Sequence, residues 1–547
     1  MYHAVPMHMH SVWESEASME GHFYNAEKLG IKHMYITDHD SRMAEMASHI
    51  GSFDFTRKEL LIDEHWSDPL RPRSHGFTVL RQDENCDVYF TDKNELCVDV
   101  NSSSGDWNGV SMEFLATPHR HECALLADFM LHLGMKFADV DDDVRIVVDV
   151  MLSRRPPDFE FAHILYVYGN DEGLGNKYET VKKMKPANGI CDFELLKDAK
   201  DVGGGDNTFK KVIFTVLTRN GKSTKFCLDY LKTSRKYRYS DACAVQQKLA
   251  DELGAKYGVT PYVITEITEA GPHKNVFSTK VPIIDYRSMD YKVSEEYAIN
   301  YVLSQGAIFS LNHPFERFKD MLKLNPELLE KKEEFLQKAA DEFIERNVYG
   351  ASLIEVGFTE GRGEFSLNDH LVLWDKLSDA GIFITGYGDS DNHSNITNWF
   401  DGNNFAGYIY AQNPCEEEFI QSMKGGNLYT GDPVYLKDLE ITFEDEYKNP
   451  MGSVVFTDKT AKVKLSVNGV KEELKVVWVI NGKTVKEQNF TEDFEDFVEI
   501  SDEKTVNFVR AELYKDKRCI MLTNPIYYTS ENEAFLKAAE ERRRKID

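Results

Sequence analysis

Apolar and polar positions follow two kinds of pattern along this chain, and the first kind covers residues 1–50. Two apolar runs, residues 2–7 and 31–36, are separated by residues 18–29, whose pattern is typical of a helix. Residues 41–50 resemble the start of a second helix. Because alternating strands and helices predict parallel strand pairing, this segment is expected to open an α/β unit.

The second kind of pattern, over residues 51–235, consists of short β-type runs separated by polar turn sequences. Many short strands with turn signals between them are typical of a sandwich or jelly-roll domain, here an inserted β-rich domain. One stretch, residues 122–133, is expected to be helical instead. The predicted strands are residues 77–80, 88–91, 96–100, 111–115, 144–151, 161–168, 211–218 and 224–230.

Strand and helix alternate again over residues 236–430. Joined to residues 1–50, this order predicts an α/β barrel that is interrupted after its second strand–helix unit. The predicted helices are residues 242–256, 294–304, 326–347, 369–380 and 416–423. The predicted strands are residues 262–267, 307–311, 351–356, 382–387 and 405–411.

The last part of the chain, residues 431–547, returns to a β pattern. Residues 476–480 and 484–486 flank Asn481-Gly482, a dipeptide that favours the tight turn of a β-hairpin. A small C-terminal β-sandwich is therefore expected, followed by a charged surface helix over residues 531–547.

Composition narrows the class of protein and its partners. At 547 residues the chain exceeds a single core, so two or three domains are expected. The net charge of −28, from 92 acidic and 64 basic residues, disfavours extended contact with nucleic acid. No apolar run approaches the length of a membrane span, so no membrane partner is expected. The sequence leaves the oligomeric state open.

The cysteines and the N-terminus bear on the cellular compartment. The eight cysteines are scattered, without a Cys-x-x-Cys pair, so no disulfide or zinc framework is visible. The N-terminus lacks the basic, apolar and small-residue order of a signal peptide. The cysteines are therefore expected to be reduced thiols in a cytoplasmic protein.

Metal-binding residue types recur where the predicted α/β strands end. Side chains two residues apart on a strand point to the same face, as those of His8 and His10 would. Imidazoles combined with carboxylates suit zinc, manganese or iron, and a carboxylate can bridge two ions. The strand-end set comprises His8, His10, His39, Glu266, His273, His313, Asp391 and His393.

These residues and their neighbours resemble the PHP (polymerase and histidinol phosphatase) superfamily. The matching motifs are His8-Met-His10, Thr37-Asp-His39, Glu266-Ile-Thr with Gly271-Pro-His273, Asn312-His313-Pro and Asp391-Asn-His393. Ile354-Glu355-Val356 and Gly388-Asp-Ser-Asp391 are similar to its carbaryl-hydrolase-like branch. The resemblance covers residues 1–50 and 255–430, and more weakly 431–530. It implies a distorted (β/α)7 barrel holding two or three divalent ions (zinc, manganese or iron).

By motif position, the resemblance implies three groups of metal ligands. The first ion would be bound by His8, His10, Glu266 and Asp391. The second would be bound by Glu266, His273 and His313, with Glu266 bridging the two ions. The third would be bound by His39 and His393, and the candidates for its remaining ligand are Glu14 and Glu16, of which Glu16 is preferred.

Other acidic residues beside these motifs are assigned supporting roles. Asp38 and Glu355 are expected to assist catalysis, either by orienting ligands or by moving a proton. Asp389 is a rival for Asp391, but Asp391 has the two-residue spacing to His393.

Three arginines follow predicted strand ends and bear on the substrate. Arg42, Arg317 and Arg362 are candidates to hold the oxygens of an anionic group. The expected function is a metal-dependent hydrolase, a phosphoesterase acting on a small-molecule or nucleotide phosphate. Two alternatives stay open: hydrolysis of a carboxylic ester, carbamate or amide by the same centre, and binding of a glycan or other polymer through residues 51–235.

Overall fold

A computed structural model gives the fold for most of the chain. The described residues are 1–11, 17–40, 51–54, 59–62, 77–115, 124–125, 129–138, 142–234, 239–268, 272–280, 284, 294–357, 362–393, 405–501 and 504–546. Four predictions, the helix over residues 41–50 and the roles of Glu14, Glu16 and Arg42, lie outside the described residues.

Two mainly antiparallel sheets contain most of the described strands between residues 51 and 234. The first sheet has the order Ala187–Glu194, Met130–Phe137, Ser223–Ser234, Gly51–Asp54 and Glu59–Ile62. Leu96–Asn101 also pairs with Ser223–Ser234, and Cys86–Phe90 pairs with Leu96–Asn101. The second has six strands in the order Glu179–Lys183, Glu160–Gly169, Val144–Arg155, Lys211–Thr218, Asn108–Leu115 and Phe77–Gln82. One pair in the second sheet, Glu160–Gly169 with Glu179–Lys183, is parallel.

Alternating apolar residues hold these two sheets together. Ile146, Val148 and Val150, at every second position of Val144–Arg155, share one buried cluster with Leu131 and Leu133 of the other sheet. Each fully buried aliphatic side chain contributes about 1.5–3 kcal/mol to stability. The same period of two shows that Met130–Phe137 is a strand, so the helix predicted over residues 122–133 is wrong there.

A disulfide links two strands of the first sheet. Cys97 and Cys227 lie directly opposite each other, with their Cα atoms 4.1 Å apart, and are bonded. The expectation that all eight cysteines are reduced is therefore wrong for this pair. Because 130 residues separate the two cysteines, their pairing left no spacing signal in the sequence.

The strands assigned to one barrel are distributed over three sheets. Among the described strands, His33–Ile36 pairs in parallel with Thr260–Val263 alone, and Tyr2–Val5 pairs antiparallel with Ala406–Tyr410 in another sheet. A five-stranded sheet has the order Thr265–Ile267, Lys274–Phe277, Ile308–Leu311, Leu353–Gly357 and Thr385–Gly388.

The predicted distorted (β/α)7 barrel is therefore wrong for the described residues. Strand accounts for 44% of the structure and helix for 26%, which makes it a predominantly β protein with several sheets. One physical reason is the short connection between Thr265–Ile267 and Lys274–Phe277, which leaves no room for a helical crossover and gives an antiparallel pair. The last three strands of the five-stranded sheet are parallel, as the strand–helix pattern predicts.

The helices cover these sheets, and local sequence sets their ends. Leu367–Asp379 begins at a capping box formed by Ser366 and Asp369, and it buries Leu373, Trp374 and Leu377. None of the described helices is long and apolar enough to cross a membrane. The α-helices of the described residues are Glu20–Leu29, Leu195–Asp198, Tyr239–Tyr257, Glu295–Ser304, Lys319–Leu324, Lys332–Glu345, Leu367–Asp379, Glu416–Gly425, Pro433–Leu436 and Asn532–Lys537.

Two further sheets contain the C-terminal strands. One has three strands, Glu440–Asp445, Ala461–Asn468 and Phe494–Ile500. The other has ten, Tyr2–Val5, Ala406–Tyr410, Leu428–Gly431, Arg518–Thr523, Asn507–Lys515, Ile526–Thr529, Val454–Phe456, Arg543–Lys545, Leu474–Ile480 and Lys483–Phe490.

The hairpin predicted in this part of the chain is present, but the terminal helix is shorter than expected. Leu474–Ile480 and Lys483–Phe490 turn at Asn481 and Gly482, both with positive φ. The helix predicted over residues 531–547 is limited to Asn532–Lys537, after which Arg543–Lys545 joins the large sheet as a strand.

A buried ion-pair group connects the inserted sheets to the first helix. Glu20, in the first turn of Glu20–Leu29, pairs with Arg155, whose other amino group lies 2.7 Å from Asp206. Tyr257 also donates a hydrogen bond of 2.6 Å to Glu20. All three charged groups of the ion-pair group are buried, so Arg155 and the two carboxylates compensate one another, and Lys256 adds a second cation at Glu20.

We expect the substitution Arg155→Met to lower the free energy of unfolding by about 3–5 kcal/mol, because it leaves the buried Asp206 without its ion-pair partner and Glu20 with Lys256 as its remaining one. Urea denaturation followed by fluorescence measures the loss. The control is Arg81→Met, which removes an exposed pair with Asp83 and should cost less than about 1 kcal/mol. Equal stability of the two variants would show that the buried group does not hold the sheets to the helix.

Candidate metal centre

Two chain segments that lie side by side bring the first candidate ligands together. Met9 forms a parallel bridge with Asn392, and the backbone N–H of His10 donates to the carbonyl of Asn392 at 2.9 Å. The side chains of His8 and His10 therefore lie next to that of Asp391.

A second β-bridge brings His39 next to Glu266. His39 bridges in parallel with Glu266, and the Glu266 N–H donates to the carbonyl of Asp38 at 3.1 Å. His313 lies just beyond the strand Ile308–Leu311.

Glu266 is the centre of the cluster. Its carboxylate is fully buried and has five imidazoles around it. The nearest carboxylate oxygen lies 2.8 Å from His39 Nε2, 3.1 Å from His273 Nδ1, 3.3 Å from His8 Nε2, 3.5 Å from His10 Nε2 and 3.6 Å from His313 Nε2. Residues far apart in the sequence thus meet at one carboxylate.

Asp391 supplies a second carboxylate beside that of Glu266. Its Oδ1 atom lies 2.8 Å from His10 Nε2, 3.3 Å from His8 Nε2 and 3.5 Å from His393 Nδ1. Its other oxygen pairs with Arg362. Asp391 and His313 both have positive φ, 49° and 30°, a strained conformation for these residues that often marks functional positions.

A layer of polar side chains orients these residues. Glu355 accepts hydrogen bonds from His8 Nδ1 at 3.0 Å and from the backbone N–H of His313 at 2.6 Å. Asn312 donates to Glu266 Oε1 at 2.7 Å, and Glu316 lies 3.0 Å from His313 Nδ1. Such contacts fix the tautomer and direction of a ligating imidazole or carboxylate.

The charges of the cluster favour ionised carboxylates. Burial raises the pKa of Glu266, but His273, His8 and His39 together hold it well below its ordinary value. Asp391 behaves similarly, because His8 and Arg362 outweigh its burial. Burial also lowers the pKa of His8, but the neighbouring carboxylates of Asp391, Glu266 and Glu355 raise it overall.

The donor set fits divalent metal ions. Three groups have donor atoms within 4.8 Å of one another: His8, His10 and Asp391; His39, Glu266 and His273; and His10, His39 and His393. Glu266 Oε2 and Asp391 Oδ1 are buried and make no well-formed hydrogen bond with the described residues, although an imidazole nitrogen lies 2.8 Å from each. Buried carboxylate oxygens this close to imidazole nitrogens form a donor set that suits a cation such as zinc, manganese or iron.

The structure groups the candidate ligands somewhat differently from the motif-based division. His39 lies with Glu266 and His273, where the second ion was expected, as well as with His393. His10 joins both the first and the third group. All eight described candidate ligands lie in one cluster, and the assignment of each to an ion stays a prediction.

Other predicted site residues lie in different positions. Asp38 accepts hydrogen bonds of 2.6 Å from the N–H and the hydroxyl of Ser11, so it anchors the segment after His10. Arg317 pairs with Glu295 and Glu342, and these contacts give no support to its predicted substrate role. Asp389 is buried, and it accepts hydrogen bonds from the N–H groups of Met7 and Ser390.

Sequence reasoning missed three residues that touch the cluster. Asn312 is part of the motif Asn312-His313-Pro, but sequence reasoning assigned it no role of its own. Glu316 follows His313 by three residues on a short helical turn. His22 is buried on the helix Glu20–Leu29 and donates to the carbonyl of His10 at 2.7 Å. The i, i+3 spacing could have indicated Glu316, whereas the contact of His22 depends on tertiary packing.

A cavity of about 580 Å³ adjoins the cluster at His313 and Arg362. Apolar side chains form much of its wall, and two lysines add positive charge. The lining includes Phe315, Lys319, Leu322, Lys323, Phe365 and His370. The cavity is large enough for a small organic molecule.

Comparisons with known proteins identify no family. No family model and no curated protein matches the chain. Among solved structures, parts of the chain are similar to the xyloglucanase domain of NopAA from Sinorhizobium fredii in complex with cellobiose, with 10% identity over 31% of this chain and 100% of that chain, at a TM-score of 0.22.

Two further solved structures have comparable scores. A family 11 carbohydrate-binding module from Clostridium thermocellum is 11% identical over 35% of this chain and 99% of that chain, at a TM-score of 0.19. The glycoside hydrolase domain of Endo-D from Streptococcus pneumoniae R6 is 13% identical over 30% of this chain and 22% of that chain, at 0.17. At these TM-scores the likenesses carry no argument about this protein.

His370 lies in the wall of the cavity beside the metal centre, and its burial leads us to expect a pH dependence of stability. Burial lowers its pKa to about 4, so the unfolded chain, with a pKa near 6.5, takes up a proton first as the pH falls. We expect the wild type to lose about 2 kcal/mol of stability between pH 8 and pH 5 through this group. The variant His370→Leu lacks this loss, which urea denaturation at both pH values measures.

The control for this measurement is His163→Gln, because protonation of His163 stabilises the folded chain whereas protonation of His370 destabilises it. A hydrogen bond to Asp149 outweighs burial and raises the pKa of His163, so its contribution is present below pH 6.5 and lost as the pH rises. Identical pH dependence in His370→Leu and the wild type would show that His370 is not buried in its neutral form.

Proposed function

We propose that the chain is a metal-dependent phosphoesterase that acts on a phosphate ester of a small molecule. The observation that carries the proposal is the buried Glu266 carboxylate among five imidazoles, with Asp391 beside it. The clustered residues also belong to the motifs that resemble the PHP superfamily: His8, His10, His39, Glu266, His273, His313, Asp391 and His393. This resemblance supports metal-dependent hydrolysis but not the fold, because the barrel that it implied is wrong for the described residues.

The eight clustered residues would hold the divalent ions. When bound, such ions lower the pKa of water to give a nucleophile and neutralise charge that develops on the attacked group. Glu355 and Asn312 keep the His8 ring and the Glu266 carboxylate in position, which reduces the cost of reorganisation during reaction.

One side of the cluster is accessible to a substrate. The side chains of His273 and His393 are 30% and 37% exposed, whereas those of His8 and His10 are fully buried. A substrate would therefore approach on the side of His273 and His393, and the buried residues would act as fixed ligands.

Arg362 favours an anionic substrate. Its guanidinium pairs with Asp391 and lies 3.1 Å from Glu316, and it lines the cavity beside the cluster together with Lys319 and Lys323. Arg362 has two carboxylate partners, as Arg317 has, but unlike Arg317 it lines this cavity, where an oxygen of a phosphate group could replace Glu316 as its partner. The apolar wall of Phe315, Leu322 and Phe365 would hold the organic part of the ester.

The cavity also leaves hydrolysis of a neutral ester, carbamate or amide as a second candidate, because its apolar wall does not require a charged ligand. The two candidates differ in their need for Arg362. A phosphate ester needs the cation in the transition state, whereas a neutral ester does not.

We expect Arg362→Gln to lower kcat/KM for an aryl phosphate ester by about 100-fold or more, the loss that follows removal of one oxyanion-stabilising group. Turnover of an aryl phosphate monoester, an aryl phosphate diester and an aryl acetate should be measured with metal-loaded protein. Metal content of the variant must be measured too, because Arg362 also contacts Asp391.

The matched control is Arg346→Gln, an exposed arginine at the end of the helix Lys332–Glu345, which should keep wild-type turnover. Loss of phosphate ester hydrolysis with metal retained supports the phosphoesterase. Hydrolysis of the acetate alone, unaffected by Arg362→Gln, would replace it with the neutral-ester candidate.

A further inference from the structure

A second cavity lies at the end of the strand Thr385–Gly388 opposite to the metal centre. Its volume is about 680 Å³, and its wall includes the residues before two strands of the five-stranded sheet as well as the C-terminal segment of the chain. Its charged lining residues are Lys424, Lys537, Glu541 and Arg542. Three of the four charges are therefore positive.

Arg542 is the most unusual of these groups. Its side chain is 2% exposed, and its Nε donates to the carbonyl of Lys424 at 3.0 Å. One terminal amino group donates to the hydroxyl of Thr385. The other, Nη1, is buried and has no hydrogen-bond partner among the described residues.

Other buried arginines of the described chain each have two carboxylate partners. Arg155 pairs with Glu20 and Asp206. Arg510 pairs with Asp375 and Glu512. Within the described residues no carboxylate lies within ion-pair distance of Arg542, whose two donated hydrogen bonds go to neutral oxygens.

A buried guanidinium without an anion is energetically costly, because it loses hydration and gains no opposite charge. In keeping with this, burial lowers the pKa of Arg542 to about 10, whereas the carboxylate partners raise the pKa of Arg155. An anion in the cavity would supply the missing opposite charge.

We propose that this cavity binds the phosphate group of a small organic molecule, with Arg542, Lys424 and Lys537 as its cationic contacts. Three cations suit a doubly charged group better than a single carboxylate. The volume exceeds that of a bare phosphate and is in the range of small-molecule sites. This site is separate from the metal centre and does not depend on the proposed phosphoesterase activity.

The test uses inorganic phosphate as the probe and the full chain. The melting temperature is measured against phosphate concentration, with sodium chloride at matched ionic strength as the reference. We expect a saturable rise for the wild type and at least a tenfold weaker apparent affinity for Lys424→Ala/Lys537→Ala. Arg542→Met, if it folds, should show no dependence on phosphate.

Two comparisons separate this site from the metal centre. The double variant Lys437→Ala/Lys483→Ala removes the same charge from the exposed surface outside both cavities and should keep the wild-type response. Chelator-treated wild type should also keep it. The proposal is overturned if phosphate does not stabilise the wild type, if Lys424→Ala/Lys537→Ala responds as the wild type does, or if the response disappears with the metal.

Discussion

The structure of the candidate site depends on the burial of one carboxylate, that of Glu266. Removing a carboxylate from water costs many kcal/mol unless opposite charge or hydrogen-bond donors compensate it. Here the compensation comes from an asparagine and from imidazoles on separate segments of the chain. Each of these segments must therefore reach the same point, which constrains how the sheets can pack.

The architecture meets this requirement with short strands that end at the cluster. Bridges such as Met9 to Asn392 and His39 to Glu266 align the segments that follow the strands, without a continuous barrel. Behind the ligands, Glu355 connects His8 and the backbone of His313 through its two carboxylate oxygens. The ligands are thus held by backbone pairing on one side and by a second set of hydrogen bonds on the other.

Local patterns were the part of this fold that sequence could predict. The turn at Asn481-Gly482 and the strand ends that carry His8, His10 and His313 follow from residue type and short spacing. Strand partners are set by contacts between distant residues, so the split of the expected barrel over three sheets had no local signal. The same reason applies to the Cys97–Cys227 bond and to Arg317, whose carboxylate partners only the tertiary structure reveals.

The most direct test of the metal centre is the metal content of the purified chain, measured by elemental analysis after loading with zinc, manganese or iron. We expect about two or more ions per chain in the wild type and less than about one in Glu266→Gln. The variant Glu440→Gln, an exposed glutamate on a strand away from the cluster, should match the wild type. A wild type that binds none of the three metals, or Glu266→Gln with undiminished content, would contradict the assignment of this cluster as a metal centre.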